Sequence, residues 1–340
     1  MRRLLILLGL LGVIGAGTVA FMDRTWMAPG PSPRETAILI APRTGGGEIA
    51  RQLQAAGLLK NAFLYEAELH LQGRAGKVKA GEYAIPPRAS MAEITAIMVL
   101  GKSIQHKITI AEGLTSAMVR KLVQDDPLLA GSAGPVPAEG ALLPETYLFT
   151  RGTTRADLIA RMERAQARFF SRAWGHRDAG LPFASPEQAV IMASIVEKES
   201  ALPEERRHIA AVFDNRLRQG MKLQSDPTII YGVTGGYPLG RPIRENEITA
   251  QTPYNTYVIP GLPPAPICNP SKDSLEAVLN PLASPDLYFV ANGKGGHSFA
   301  ATEAEHDRDV KVYRSFLRKE NPPPPSPKES EARPRHPPPR

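Results

Sequence analysis

The sequence predicts an α+β fold carried behind a single N-terminal transmembrane helix. Three features point to it. The run Leu4–Met22 is uncharged and mostly apolar; residues 36–105 alternate short strand-like and helical segments; and longer amphipathic helices with Gly/Pro-rich loops follow from residue 106. The chain has 340 residues, 42% of them apolar and 22% charged, so it can bury a sizeable core. By the usual domain-size range it holds roughly two domains.

Residues 1–24 read as a cytoplasmic N-terminus and membrane anchor. At 1.5 Å per helical residue, Leu4–Met22 spans about 28 Å, against a hydrocarbon core of roughly 30 Å. Arg2 and Arg3 precede the run, which places the N-terminus in the cytoplasm and the body outside, in the periplasm. The alternative is a cleaved signal peptide, with Thr18-Val19-Ala20 as a small-residue cleavage site. Either way the body works beyond the cytoplasmic (inner) membrane, which argues against ATP-driven and nicotinamide chemistry.

Residues 25–35, with Pro29, Pro31 and Pro33, form an extended linker. Thr36–Ile40 is a strand. A helix starts at Gly47 with Ile49, Leu53 and Ala56 on one face and ends near Gly57. A second helix covers 62–71, and the strand Gly81–Ile85 is closed by Pro86-Pro87. Ser90 caps a third helix, 91–100, with Glu93 completing a capping box and Gly101 ending it. Residues 36–105 thus make one small α+β module, and 106–320 a second, mixed α+β domain. In the latter, Ile108–Ile110 is strand-like, 115–124 helical, 139–150 a turn leading into a strand, and 155–172 an amphipathic helix. Residues 321–340 contain nine prolines and read as a disordered tail.

Composition narrows the chemistry. The net charge is +7, but each end contributes +2, leaving too little on the body for a nucleic-acid footprint. Cys268 is the only cysteine, so no intrachain disulfide or multi-cysteine metal site can form. The seven histidines show no HExxH pairing, and neither a metal nor a cofactor is expected. Gly101-Lys102-Ser103 is no phosphate loop, because Ala96 stands where the first glycine belongs.

The segment with chemical content begins at Ser185-Pro186-Glu187-Gln188: Ser as N-cap, Pro at N1 and Gln placed to close a capping box. The helix that follows is expected to stop near Pro203. At about 100° per residue, Met192, Ile195 and Val196 share a face with Glu199, while Glu197 sits about 200° away and looks toward solvent or another partner. A carboxyl among apolar side chains has a raised pKa and can donate a proton near neutral pH, as a general acid at a glycosidic oxygen must. The competing reading is a structural helix-end carboxylate paired with an arginine such as Arg206.

Several ordered motifs then carry a resemblance over roughly residues 36–318. They are Met192-Ala193-Ser194-Ile195-Val196-Glu197-Lys198-Glu199-Ser200, Val212-Phe213-Asp214-Asn215-Arg216-Leu217, and Gly220 to Thr228 (GMKLQSDPT) with Tyr231-Gly232. Thr252 to Tyr257 (TPYNTY), Gly261-Leu262-Pro263-Pro264, Tyr288 to Ala291, and Gly293 to Phe299 (GKGGHSF) complete the set. Together they resemble the endolytic murein transglycosylases (MltG type, YceG-like). The resemblance implies a membrane-anchored lytic transglycosylase, a carbon–oxygen lyase, that cleaves MurNAc-β-1,4-GlcNAc bonds in nascent glycan strands. The products would end in 1,6-anhydro-MurNAc.

It also implies a LysM-like module at 36–105, Glu199 as the catalytic residue, and peptidoglycan strands, the inner membrane and cell-wall synthases as partners. Gln224, Asp226, Thr228, Tyr231, Asn255 and Tyr257 are the expected cleft residues, able to read acetamido and hydroxyl groups or stack on sugars; turn and strand structure around Pro227 and Pro253 is the competing account of each. Glu139 and Glu145 are alternative acids, but the stretch EGALLPETY reads more as loop scaffolding. It is also less aromatic before Pro144 than the family pattern. Two rival functions remain open: a lysozyme-type muramidase using Asp226 as a second carboxylate, and a non-catalytic peptidoglycan-binding anchor.

Overall fold

The computed structural model describes residues 13, 16–18, 20–200 and 202–320. Most of the expected anchor Leu4–Met22 and all of the expected tail 321–340 lie outside them. Among the described residues no helix is long and apolar enough to cross a membrane. The architecture is mixed α+β, with helices and three two-stranded sheets among the described residues. Two compact units arise, one from Met1–Ile108, Val123–Ala133 and Thr146–Leu158, the other from Thr109–Leu122, Gly134–Glu145 and Ile159–Arg340.

In the first unit β1 (Thr36–Ile40) pairs antiparallel with β2 (Gly81–Ile85), Thr36 opposite Ile85 and Ile40 opposite Gly81. Between them run α1 (Gly46–Ala55) and α2 (Ala62–Leu71), and α3 (Met91–Leu100) follows β2. The alternation of β1 sends Ile38 and Ile40 inward, where they join Leu53, Tyr65, Leu69, Tyr83, Ile94 and Met98. The capping box at Ser90 and Glu93 forms as expected, and Gly101 ends α3 in the left-handed conformation that glycine adopts without a Cβ clash. β3 (His106–Thr109) pairs with β4 (Thr146–Phe149), and α4 (Ser116–Asp125) lies between them in sequence.

The second unit is built on α6 (Pro186–Glu199), which follows α5 (Arg155–Gly175). Seven consecutive residues of α6, from Ile191 to Glu197, are buried. A helix buried on all sides has no solvent face to orient it, so its neighbours fix it. These are α7 (Arg206–Arg218), α8 (Asp226–Thr234) and α10 (Lys272–Leu279), with the short α9 (Glu245–Ile248) preceding α10. Ala189, Met192, Ile195, Val196, Ile209, Phe213, Leu223, Leu275 and Val278 form the core at that crossing. The hairpin of β5 (Tyr288–Ala291) and β6 (His297–Ala300) and the helix α11 (Glu303–Glu320) complete the unit.

Two local expectations need correcting. Ser185 makes no side-chain cap bond; Gln188 reaches one residue further back and accepts from the Ala184 N–H at 2.7 Å. And α6 stops at Glu199, not near Pro203, because Ser200 turns extended and its hydroxyl donates to the Leu202 carbonyl.

Candidate active site

Because α6 ends at Glu199, this carboxyl sits in the last helical turn, where unpaired carbonyls make a negative pole that disfavours a second negative charge. Burial acts in the same direction and is the largest influence: it pushes the Glu199 carboxyl up to about 7. Ser225 Oγ donates to Glu199 Oε1 at 2.6 Å and opposes the rise; the nearby Asp226 charge adds to it, while His297 and Arg216 pull it down. A carboxyl poised near neutrality can give up a proton and take one back.

Ser225 is aimed by a chain of contacts. It is the N-cap residue of α8, almost fully buried, and its N–H donates to Thr256 Oγ1 at 2.9 Å. The preceding Gln224 has φ +55°, a left-handed conformation that costs a non-glycine residue about 1 kcal/mol or more. Arg216 holds the strained turn by donating to the Leu223 carbonyl at 2.7 Å and to Gln224 Oε1 at 3.4 Å, while its Nε donates to the Leu287 carbonyl at 2.6 Å.

On the other side, Glu205 takes His297 with both carboxylate oxygens, Oε1 from the backbone N–H at 2.9 Å and Oε2 paired with Nδ1 at 2.6 Å. Gly296 permits this approach, since a Cβ there would collide with Glu205 Oε1. Tyr257 donates its hydroxyl to Asp226 Oδ1 at 2.7 Å; burial and that bond together raise the phenol's pKa.

Of the six expected cleft residues, exposed Asp226 and half-buried Tyr257 lie near Glu199, and exposed Gln224 directly precedes the Ser225 that donates to it. Thr228 and Asn255 do not line an open surface. Both are buried. Thr228 Oγ1 is spent on the Ser225 carbonyl and Thr256, and Asn255 Nδ2 donates to the carbonyls of Glu247, Ile248 and Ala250. They build the turns around Pro227 and Pro253. Tyr231 belongs to a different cluster, its ring 4.8 Å from Tyr254 and its hydroxyl 3.3 Å from Glu139 Oε2.

Burial raises the Glu139 pKa, yet its carboxylate holds the Ser116 N–H at 2.7 Å and so fixes the start of α4, the scaffolding role read for that stretch. Glu145 is exposed and pairs with Lys272 at 3.0 Å. Ser225, Arg216, Glu205 and His297 were not singled out from the sequence. All but Glu205 lie inside the quoted motifs, but nothing in their spacing tells which side chain turns toward Glu199.

Of the two settings expected for Glu197, solvent or another partner, the structure gives the partner. One carboxylate oxygen accepts from the Ser271 N–H (2.8 Å), the Ser271 hydroxyl and the Ser274 hydroxyl (2.7 Å), and the other meets Arg206 at 3.4 Å. The arginine-paired carboxylate weighed for Glu199 is therefore Glu197. Burial alone does not separate the two; the number of donors does. Among the described residues no group of three His, Cys, Asp or Glu side chains could hold a metal ion.

The chain belongs to the YceG-like family, whose model matches residues 38–312. It is 34% identical over 177 residues to the endolytic murein transglycosylase of Bacillus subtilis (strain 168), covering 52% of this chain and 48% of that one. It is 28% identical over 312 residues to the endolytic murein transglycosylase of Streptococcus pneumoniae serotype 2 (strain D39), covering 77% of this chain and 55% of the other. The chain thus spans about half the length of the curated relatives it matches. The crystal structure of a YceG-like protein from Listeria monocytogenes matches at a TM-score of 0.51 and 27% identity, covering 82% of this chain and 99% of that one.

Proposed function

We propose that the protein is an endolytic lytic transglycosylase that cleaves MurNAc-β-1,4-GlcNAc bonds in nascent peptidoglycan and leaves 1,6-anhydro-MurNAc ends. One observation carries the reading: the Glu199 carboxyl lies at the end of a buried helix with one hydroxyl donor among the described residues, a setting that raises its pKa to about 7. Glu199 protonates the leaving oxygen as an oxocarbenium-like centre forms. Its carboxylate then accepts the proton of the sugar's 6-hydroxyl, which attacks the anomeric carbon. One group serves both steps because its two protonation states lie close in free energy at neutral pH. No water enters the product, so the reaction calls for no second carboxylate.

Around this centre, the reading gives the run Leu4–Met22 the role of membrane anchor, with the body periplasmic. Residues 36–105 act as a LysM-like glycan-binding module and 106–320 as the catalytic domain. Cell-wall synthases supply the strands. Gln224, Asp226 and Tyr257 meet the glycan. Thr228 and Asn255 build the turns behind them, while Tyr231 stands apart with Tyr254 and Glu139.

Mass spectrometry of the products from un-crosslinked glycan strands tests the reading. Anhydro-muramic ends, lighter than hydrolysed ends by one water, support it, and Glu199→Gln should lower cleavage by about 10²-fold or more. A second reading rests on Asp226, whose charge reaches Glu199: a muramidase in which Asp226 activates water or attacks the sugar. Reducing ends would select it.

A further inference from the structure

We propose that the groove between α5, α7 and α10 is a second binding site, taking a carboxylate-bearing peptide of the kind that hangs from peptidoglycan strands. The inference rests on the glycan-cleaving reading for the identity of the ligand, and on the groove itself for its chemistry. The groove encloses about 750 Å³, and none of the residues of the Glu199 cluster lines it.

Its cations are not all equivalent. Arg206 is committed to the fold: its side chain is 7% exposed and meets Glu112, Glu197 and Asp273 at 3.1–3.4 Å. Its Nε is buried and has no hydrogen-bond partner among the described residues. Lys272 is paired with Glu145. Arg172 and Arg207 are different. Both are exposed, both line the groove, and neither has a carboxylate partner among the described residues. Arg207 is held by its Nε, which donates to the Asn280 carbonyl at 2.7 Å and leaves its two terminal nitrogens unengaged. A guanidinium anchored by its stem presents a fork that matches a carboxylate in a bidentate way.

The rest of the lining selects among anions. Asp273 and Glu276 stand in the same groove, and Glu276 has no side-chain partner among the described residues. Such acids repel a compact dianion such as phosphate. They suit a ligand that carries an ammonium as well as carboxylates. Phe169, Ala173 and Ala277 give the groove an apolar floor for the aliphatic part of a peptide. Pro203, four residues past Glu199 in the chain, also lines it. The end of α6 thus offers Glu199 to one neighbourhood, while Glu197, two residues earlier, grips the arginine that walls the other.

The test uses the full chain in detergent with two preparations of one un-crosslinked strand, one bearing its peptides and one stripped of them by an amidase. It also measures binding of the free stem peptide by calorimetry. The wild-type KM should be about tenfold lower on the peptide-bearing strand. In the Arg172→Glu/Arg207→Glu variant that ratio should fall to near one, and calorimetric binding of the peptide should be lost. Arg172→Lys, which keeps the charge without the fork, should keep part of the preference. A preference that survives the double charge reversal overturns the proposal, as does a wild type with no preference and no peptide binding. Peptide binding that is lost on charge reversal while neither strand is cleaved keeps the groove and discards the reaction.

Discussion

Ser225 Oγ stands 2.6 Å from Glu199 Oε1 and is the one hydrogen-bond donor to that carboxyl among the described residues. A bond donated to a carboxylate favours its charged form, so Ser225 holds the Glu199 pKa below where burial alone would put it. Removing the hydroxyl in Ser225→Ala should therefore move the pKa further up. A hydrogen bond to a charged group is worth roughly 1.5–3 kcal/mol, and 1.36 kcal/mol is one pKa unit, so a shift of about one to two units is expected. The basic limb of the kcat/KM profile for glycan cleavage should rise from near pH 7 to about pH 8–9. A limb that stays in place, or falls, would show that Ser225 does not set the acid.

The same carboxyl makes stability depend on pH. Its pKa in the folded chain is about 7, against 4.5 for the free group, so the folded state binds the proton more tightly than the unfolded one. The stability this proton contributes is present in full below 4.5 and is lost as pH rises through 7. Glu199→Gln cannot ionise and escapes that loss. The variant should match the wild type near pH 4 and exceed it by about 2–3 kcal/mol at pH 8, the upper end applying if the group is fully screened from water. Denaturant melts at the two pH values decide the matter; equal gaps at both would mean that Glu199 is not buried as an acid.

Glu197 predicts the opposite pattern. It is 9% exposed and satisfies donors from Ser271, Ser274 and Arg206, which tie α6 to α7 and α10. Glu197→Ala leaves Arg206 with Glu112 and Asp273 but strips three donors of their acceptor. Breaking one side of a buried pair costs about 3–5 kcal/mol. The loss should appear as a lowered unfolding midpoint at every pH from 6 to 8, with kcat per folded molecule and its pH profile close to wild type. A changed pH profile in a stably folded variant would place Glu197 in the chemistry after all.

The strands and helices of the first unit were legible because each is bounded by its own local signal: Pro86-Pro87 after β2, the Ser90–Glu93 box before α3, Gly101 after it. Glu199 was legible for a weaker reason. The wheel set it among Met192, Ile195 and Val196, but α6 is buried all round, so the same geometry could not tell that Glu197 is buried too. What distinguishes the pair comes from residues more than seventy positions away, Ser271 and Ser274 for one and not for the other. Thr228 and Asn255 misled in a similar way. Polar side chains beside proline read equally well as sugar contacts or as turn staples, and only the carbonyls of Glu247, Ile248 and Ala250 closing on Asn255 Nδ2 decide for the second.

Asp226 separates the two catalytic readings with one substitution. It is the first residue of α8, exposed, and accepts the Tyr257 hydroxyl at 2.7 Å. Its negative charge raises the Glu199 pKa, so neutralising it in Asp226→Asn should lower that pKa and bring the basic limb of the profile below pH 7. This is the reverse of the Ser225→Ala shift. The amide oxygen can still accept from Tyr257, which preserves the local geometry. If Glu199 works alone, Asp226→Asn continues to cleave and its products still carry anhydro ends. If Asp226 activates water or attacks the sugar, the variant loses about 10²-fold or more in rate. A retained rate with a lowered basic limb therefore assigns Asp226 to tuning the acid; a collapsed rate, with reducing ends in the wild-type products, assigns it to the reaction.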